Sequence, residues 1–170
     1  DESALFPWDN VSGIADLGLF GLTIAEEYGG SGGTTRQLAI AAEEIAKGCA
    51  ATSVIYIAHL SLCTQFINMF GSEEQKKKYL PDLASGKKVG AFALSEPGAG
   101  SDAAAIKTSA TRSNGHFVLD GVKTWISNAP EASVFVTLAN SDISKKHRGI
   151  EALIVEADTA GAAKMVSEMK

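Results

Sequence analysis

A change of texture near Lys88 constrains this 170-residue chain more than any other feature. Before it, apolar residues recur at the helical period between glycine stops; after it, β-branched residues alternate with polar ones around tight turns. An α+β chain is therefore expected, with a helical domain over residues 1–88 and a sheet domain over 89–170. The sheet domain reads as a small antiparallel β-barrel.

The helical half can be parsed from its stops. Pro7 is placed to open a helix carrying Trp8, Val11, Ile14 and Ala15 on one face and ending near Gly18. The glycines between Gly29 and Gly33 break the pattern, and Thr34 or Thr35 can cap a second helix with Leu38, Ala41, Ala42 and Ile45 on one side. Gly48 closes it. From Ala51 to Phe70 the chain is apolar nearly all round, through Val54, Ile55, Ile57, Leu60, Leu62, Phe66 and Ile67, which predicts a helix buried among other elements. After Gly71, Ser72 and Gln75 have the spacing of a capping box, and a short helix is expected to end near Pro81.

Beyond Lys88 the elements shorten. Val89–Leu94 is a buried-strand candidate, ended by Pro97 and Gly98; Gly98 and Gly100 are expected to take positive φ and turn their N–H groups into one concavity. Thr108–Arg112 and His116–Asp120 flank an Asn114-Gly115 turn, the signature of a hairpin. Further strands are expected at Val122–Ser127, Val134–Ala139 and Glu151–Val155.

Composition narrows the function classes. The chain is 45% hydrophobic and 21% charged, with a net charge of −5, which argues against a nucleic-acid partner. Lys76, Lys77 and Lys78 read as the solvated face of a capped helix. Cys49 and Cys63 are too far apart for a CxxC motif and sit among apolar residues, as free thiols do in a reducing compartment. The Val54–Leu62 run is short and carries His59, so no membrane span is expected, and no signal peptide is legible.

Two segments carry the chemistry. Ala91–Asp102 reads Ala-Phe-Ala-Leu-Ser-Glu-Pro-Gly-Ala-Gly-Ser-Asp, and Trp125, Ile126 and Ser127 follow it. Together they resemble the acyl-CoA dehydrogenase family, in which a Phe/Tyr-x-x-Ser/Thr-Glu-Pro-x-x-Gly-Ser-Asp segment and a Trp-Ile-Ser/Thr segment line a flavin. Leu17–Gly30, Phe70–Pro81, Asn114–Ala139 and Gly149–Glu156 resemble further family blocks, so the resemblance covers nearly the whole chain. It weakens at the end, with Ala160 where proline is usual and Ala162 and Ala163 where larger apolar residues are expected.

The resemblance implies an FAD cofactor and α,β-dehydrogenation of an acyl-CoA thioester to the trans-2-enoyl-CoA, as part of fatty-acid β-oxidation. It places Trp125 against the flavin ring, the Ser127 hydroxyl near flavin N5 and Ser95 near the pyrimidine edge. Phe92, Ala93 and Leu94 form the wall behind the ring. Gly100, Ser101 and Ile126 complete the cofactor set, and Ser95 and Ser101 also meet the substrate. The family's base is a glutamate of a C-terminal helical domain to which nothing in residues 1–170 corresponds, so no catalytic residue is assigned in this chain.

The same resemblance implies an electron-transfer flavoprotein as acceptor, a homotetramer or homodimer, and a mitochondrial matrix or bacterial cytoplasmic location. An acyl-CoA oxidase or flavin monooxygenase of the same fold, and a non-catalytic binding module, are the alternative readings. A dinucleotide reading of Gly98-Ala99-Gly100-Ser101-Asp102-Ala103, with Asp120 as the ribose acid, is opposed by the Asn114-Gly115 hairpin where a crossover helix is needed. Ser101 lacks a nucleophile elbow, and His59, His116 and His147 lack metal-ligand spacing. His59 reads as a satisfied helix histidine, and Glu26-Glu27 and Glu43-Glu44 as surface charge.

Overall fold

Helix ends in the first half close locally. In a computed structural model describing residues 5–159, α1 (Trp8–Asp16) is preceded by Pro7 and buries Val11 and Ile14, and α2 (Thr35–Gly48) begins at Thr34. The Thr34 hydroxyl accepts from the Gln37 N–H while the Gln37 side chain takes the Thr34 N–H, a reciprocal cap. Ser72 and Gln75 repeat the arrangement at the start of α5 (Glu73–Ala84). Pro81 lies inside α5 rather than at its end, because the ring removes one helical N–H without preventing the next turn.

One long apolar helix fills the centre. It is built from α3 (Ala50–Ile57), a π-helical stretch over Ala58–Thr64, and α4 (Gln65–Phe70). The expectation of burial on every side is corrected: Tyr56, Leu60, Cys63 and Ile67 are inside, but Val54, Ile57, Leu62 and Phe70 are exposed in the described residues. By length and composition this 21-residue helix could cross a membrane, which the Val54–Leu62 run alone understated. Its buried Thr52, Ser53, His59 and Thr64 hydrogen-bond within the protein, whereas the buried Tyr56 hydroxyl has no partner among the described residues.

Among the described residues the sheet has five strands: β1 (Gly90–Ala93), β2 (Ser109–Ser113), β3 (His116–Asp120), β4 (Val134–Asn140) and β5 (Ile150–Glu156). Asn114 at φ 49° and Gly115 at φ 82° turn the β2–β3 hairpin as expected, since both central residues of such a turn need positive φ. β5 runs antiparallel along all of β4; on the other edge of β4, β1 pairs in parallel over Val134–Thr137 and β2 at Asn140. The fold class is α+β as expected, but the sheet is mixed rather than an antiparallel barrel. The expected strand over Val122–Ser127 does not form, and that stretch leaves the sheet. Ala160, Ala162 and Ala163 lie outside the described residues.

β4 explains why helices and sheet share a core. Val134 and Val136 pack into the cluster containing Phe20, Tyr56, Leu60 and Leu83, while Phe135 points to the opposite face among Ala91, Ala129 and Val155. A strand covered on both faces reads as a continuous apolar run.

His59 is the polar joint of this core. Its Nδ1 accepts the Gly90 N–H at 2.9 Å, so the proton sits on Nε2, which donates to the Leu83 carbonyl at 3.0 Å. Burial pushes its pKa down to about 4, against a smaller upward pull from the Leu83 carbonyl. The imidazole is neutral and satisfied, and it ties the π-helical stretch to α5 and β1.

Candidate functional site

The polar segment begins where β1 ends. Phe92 turns toward the helices and meets Phe66 at 5.7 Å between ring centroids, whereas Ala91 and Ala93 are fully buried. Leu94 and Ser95 are half-buried as the chain leaves the sheet. Glu96 and Ala99 then exchange both backbone hydrogen bonds, at 2.8 and 3.1 Å, closing a tight turn over Pro97 and Gly98. The turn forms without positive φ at Gly98 or Gly100, contrary to the sequence expectation. Gly100 and Ser101 are exposed, and an added Cβ at Gly100 would meet nothing within 4 Å.

The second segment lies beside the first. The Thr124 N–H donates to the Ser95 carbonyl at 2.9 Å, and the Lys123 ammonium donates to the Leu94 carbonyl at 3.0 Å and to Glu96 Oε1 at 2.8 Å. Glu96 also accepts the Lys107 and Thr108 N–H groups at 2.6 and 3.0 Å. Burial pushes the Glu96 carboxyl up, but the hydrogen bonds from Lys123, Thr108 and Lys107 outweigh it and hold the pKa at about 2. Burial lowers the Lys123 ammonium, and Glu96 offsets part of that. Glu96 is therefore ionised at neutral pH, with the Lys123 amine set against it.

Trp125 is the consequence. It stands at φ 59° with 93% of its surface exposed, and Asn128 follows at φ 67°. Left-handed backbone is tolerable for asparagine and unfavourable for tryptophan, so the surroundings must enforce it, at roughly 1–3 kcal/mol. The Asn128 side chain donates to the Ile55 and Gly90 carbonyls at 3.1 and 3.2 Å. Ile126 packs into the second core cluster, and Ser127 is exposed beside Trp125. The Thr124 hydroxyl and Asn128 Oδ1 are buried without a partner among the described residues.

The structure thus unites Leu94 and Ser95 with the Trp125 segment. Among the described residues, no hydrogen bond ties Gly100 or Ser101 to that segment, and Phe92 is committed to the helical side. Glu96, Lys123 and Asn128 were not singled out as site residues from the sequence. A lone lysine inside the apolar stretch Val122–Ile126 was the available signal, because a buried lysine demands a partner.

Comparison with known proteins identifies the family. The family model for the acyl-CoA dehydrogenase N-terminal domain matches residues 1–87, and that for the middle domain matches 91–167. A short-chain-specific acyl-CoA dehydrogenase of Clostridium acetobutylicum is 45% identical over 156 residues, 92% of this chain and 41% of that protein. The human mitochondrial short-chain-specific enzyme is 45% identical over 161 residues, 95% of this chain and 39% of that protein. The structure of butyryl-CoA dehydrogenase from Megasphaera elsdenii superposes with a TM-score of 0.90 at 38% identity, covering 95% of this chain and 43% of that one. The chain spans about two fifths of the length of these relatives.

Proposed function

Because the chain belongs to the acyl-CoA dehydrogenase family, we propose that it forms part of an FAD-dependent enzyme that dehydrogenates a short acyl-CoA thioester between its α and β carbons. The observation that carries this reading is Trp125, an indole held face-out on left-handed backbone, with a free-standing hydroxyl on Ser127 and the Ser95 loop hydrogen-bonded alongside. A planar ring with hydrogen-bonding edges fits that arrangement. When bound, FAD supplies the acceptor for the hydride leaving the β carbon.

The chain's own residues bind and orient. Trp125 offers its face to the flavin ring, and Ser127 and Ser95 offer hydroxyls to its edges. Ser101, exposed after the Glu96–Ala99 turn, is assigned to the approach of the acyl-CoA, and the neighbouring Gly100 to the cofactor. The proton acceptor is assigned to the family's C-terminal helical domain. An electron-transfer flavoprotein as acceptor and a homo-oligomeric assembly belong to the same proposal. The short-chain substrate is supported by the names of the relatives above.

The test is anaerobic addition of butyryl-CoA to the flavin-loaded whole enzyme of which this chain forms part, while its visible spectrum is recorded. Loss of the visible absorption band of the oxidised flavin supports dehydrogenation. An unchanged spectrum with bound flavin rejects it.

A further inference from the structure

Among the described residues, the Lys123–Glu96 pair is the ion pair buried on both sides. Its side chains keep 2% and 6% of their exposure, against 20% or more for every other paired side chain. Burying two charges is costly, and apolar residues of similar size would often stabilise the fold as well or better. What apolar residues lack is direction. The two oxygens of Glu96 collect the Lys107 and Thr108 N–H groups and the Lys123 ammonium, and Lys123 reaches on to the Leu94 carbonyl. Two separate stretches of chain are pinned to a carboxylate carried by a third.

Lys123 lies two residues before Trp125, and Asn128 lies three residues after it. The stretch Thr124–Ser127, with Trp125 and Ser127 exposed and Ile126 packed inward, therefore runs between two buried anchors. One is held by Glu96, the other by the Ile55 and Gly90 carbonyls. Between them the only backbone tie to the first segment is Thr124 to Ser95 among the described residues. With an unfavourable φ at Trp125, release of either anchor lets that residue relax toward ordinary backbone.

We propose that Lys123 and Glu96 are positioning residues that fix Trp125 and Ser127 in their outward pose, and that, on the flavin reading above, they thereby set the flavin contact. Neither touches the flavin itself. Their effect is exerted through backbone geometry.

The test is amide hydrogen exchange by mass spectrometry on the full chain, with and without FAD, for wild type, Glu96→Gln, Lys123→Met and the double variant. Each single variant is expected to speed exchange in 122–128 by about tenfold or more beyond any rise in α2 and α5, because a local opening is released on top of the global loss of stability. FAD affinity is expected to fall by about tenfold to a hundredfold, and the flavin spectrum to shift, in the same variants. The double variant is expected to recover thermal stability but not the protection of 122–128. Unchanged exchange in 122–128, or an equal rise in α2 and α5, would overturn the proposal, since the pair would then be a general stabiliser. Should a single variant fail to fold, Glu96→Asp keeps the charge on a shorter arm and is expected to raise exchange in 122–128 alone. If wild type takes up no FAD, the exchange contrast still decides the brace, and the flavin reading alone falls.

Discussion

The helical half and the stretch from Gly121 to Ser133 are held by different physics. Thr34 with Gln37 and Ser72 with Gln75 close helix ends between residues three apart, on the protein surface. Lys123 finds Glu96 across 27 positions, and Asn128 finds Ile55 across 73, both inside the protein. A local cap survives wherever its helix forms, whereas a long-range anchor exists only once helices and sheet have met. The stretch that presents Trp125 therefore depends on the whole fold, and it is where strained backbone can be maintained.

Breaking the long-range anchor has the largest expected effect. Glu96→Gln leaves a buried ammonium without its counter-charge, and urea denaturation is expected to show a loss of about 3–5 kcal/mol. Removing both charges in Glu96→Gln/Lys123→Met is expected to lose less than either single change. Additive losses in that double-mutant cycle would mean that the two charges do not act as a pair.

Acid probes the joint between the halves. The folded pKa of His59 is near 4, below its ordinary value of 6.5, so the unfolded chain binds a proton more readily. Its contribution is fully present above pH 6.5 and is lost as pH falls to about 4, a change of about 3 kcal/mol. Glu96 acts in a lower window, contributing above pH 4.5 and losing that contribution as pH falls toward about 2. Denaturation midpoints measured across pH 7 to 4 should fall in wild type and flatten in His59→Gln. An equally steep decline in both proteins would remove His59 from the explanation.

The local caps give the smallest effect. Thr34→Ala and Ser72→Ala are each expected to cost about 1 kcal/mol in thermal unfolding. Neither should alter exchange in 122–128, because the caps share no partner with the Trp125 stretch. A change there would erase the distinction between the two regions.

What the sequence displayed follows the same division. The Ser72–Gln75 cap, a cap at Thr34 or Thr35, the Asn114-Gly115 hairpin and a satisfied His59 were legible because their determinants are close in sequence or follow from residue type. Val122, Thr124 and Ile126 alternate as a strand does, yet they form none, because Lys123 and Asn128 are recruited by partners far away. Turn chemistry reveals a hairpin but not the parallel pairing of β1 with β4, whose partners lie more than 40 residues apart. Pro81 as a stop was misleading because one absent N–H does not end a helix supported by packing of Tyr79, Leu80 and Leu83. At the site, Ser95 and Trp125 were legible by resemblance, and the carboxylate and ammonium that bring them together were not.

The most direct measurement follows tryptophan emission as FAD is added to flavin-free protein, using Trp8→Phe and Trp125→Phe. The chain has two tryptophans, so each variant reports on one. Quenching that persists in Trp8→Phe and is largely lost in Trp125→Phe is the expected result, with Trp125 against the flavin. Quenching that persists in Trp125→Phe and disappears in Trp8→Phe would contradict it, placing the flavin away from the segment that Lys123 and Glu96 hold.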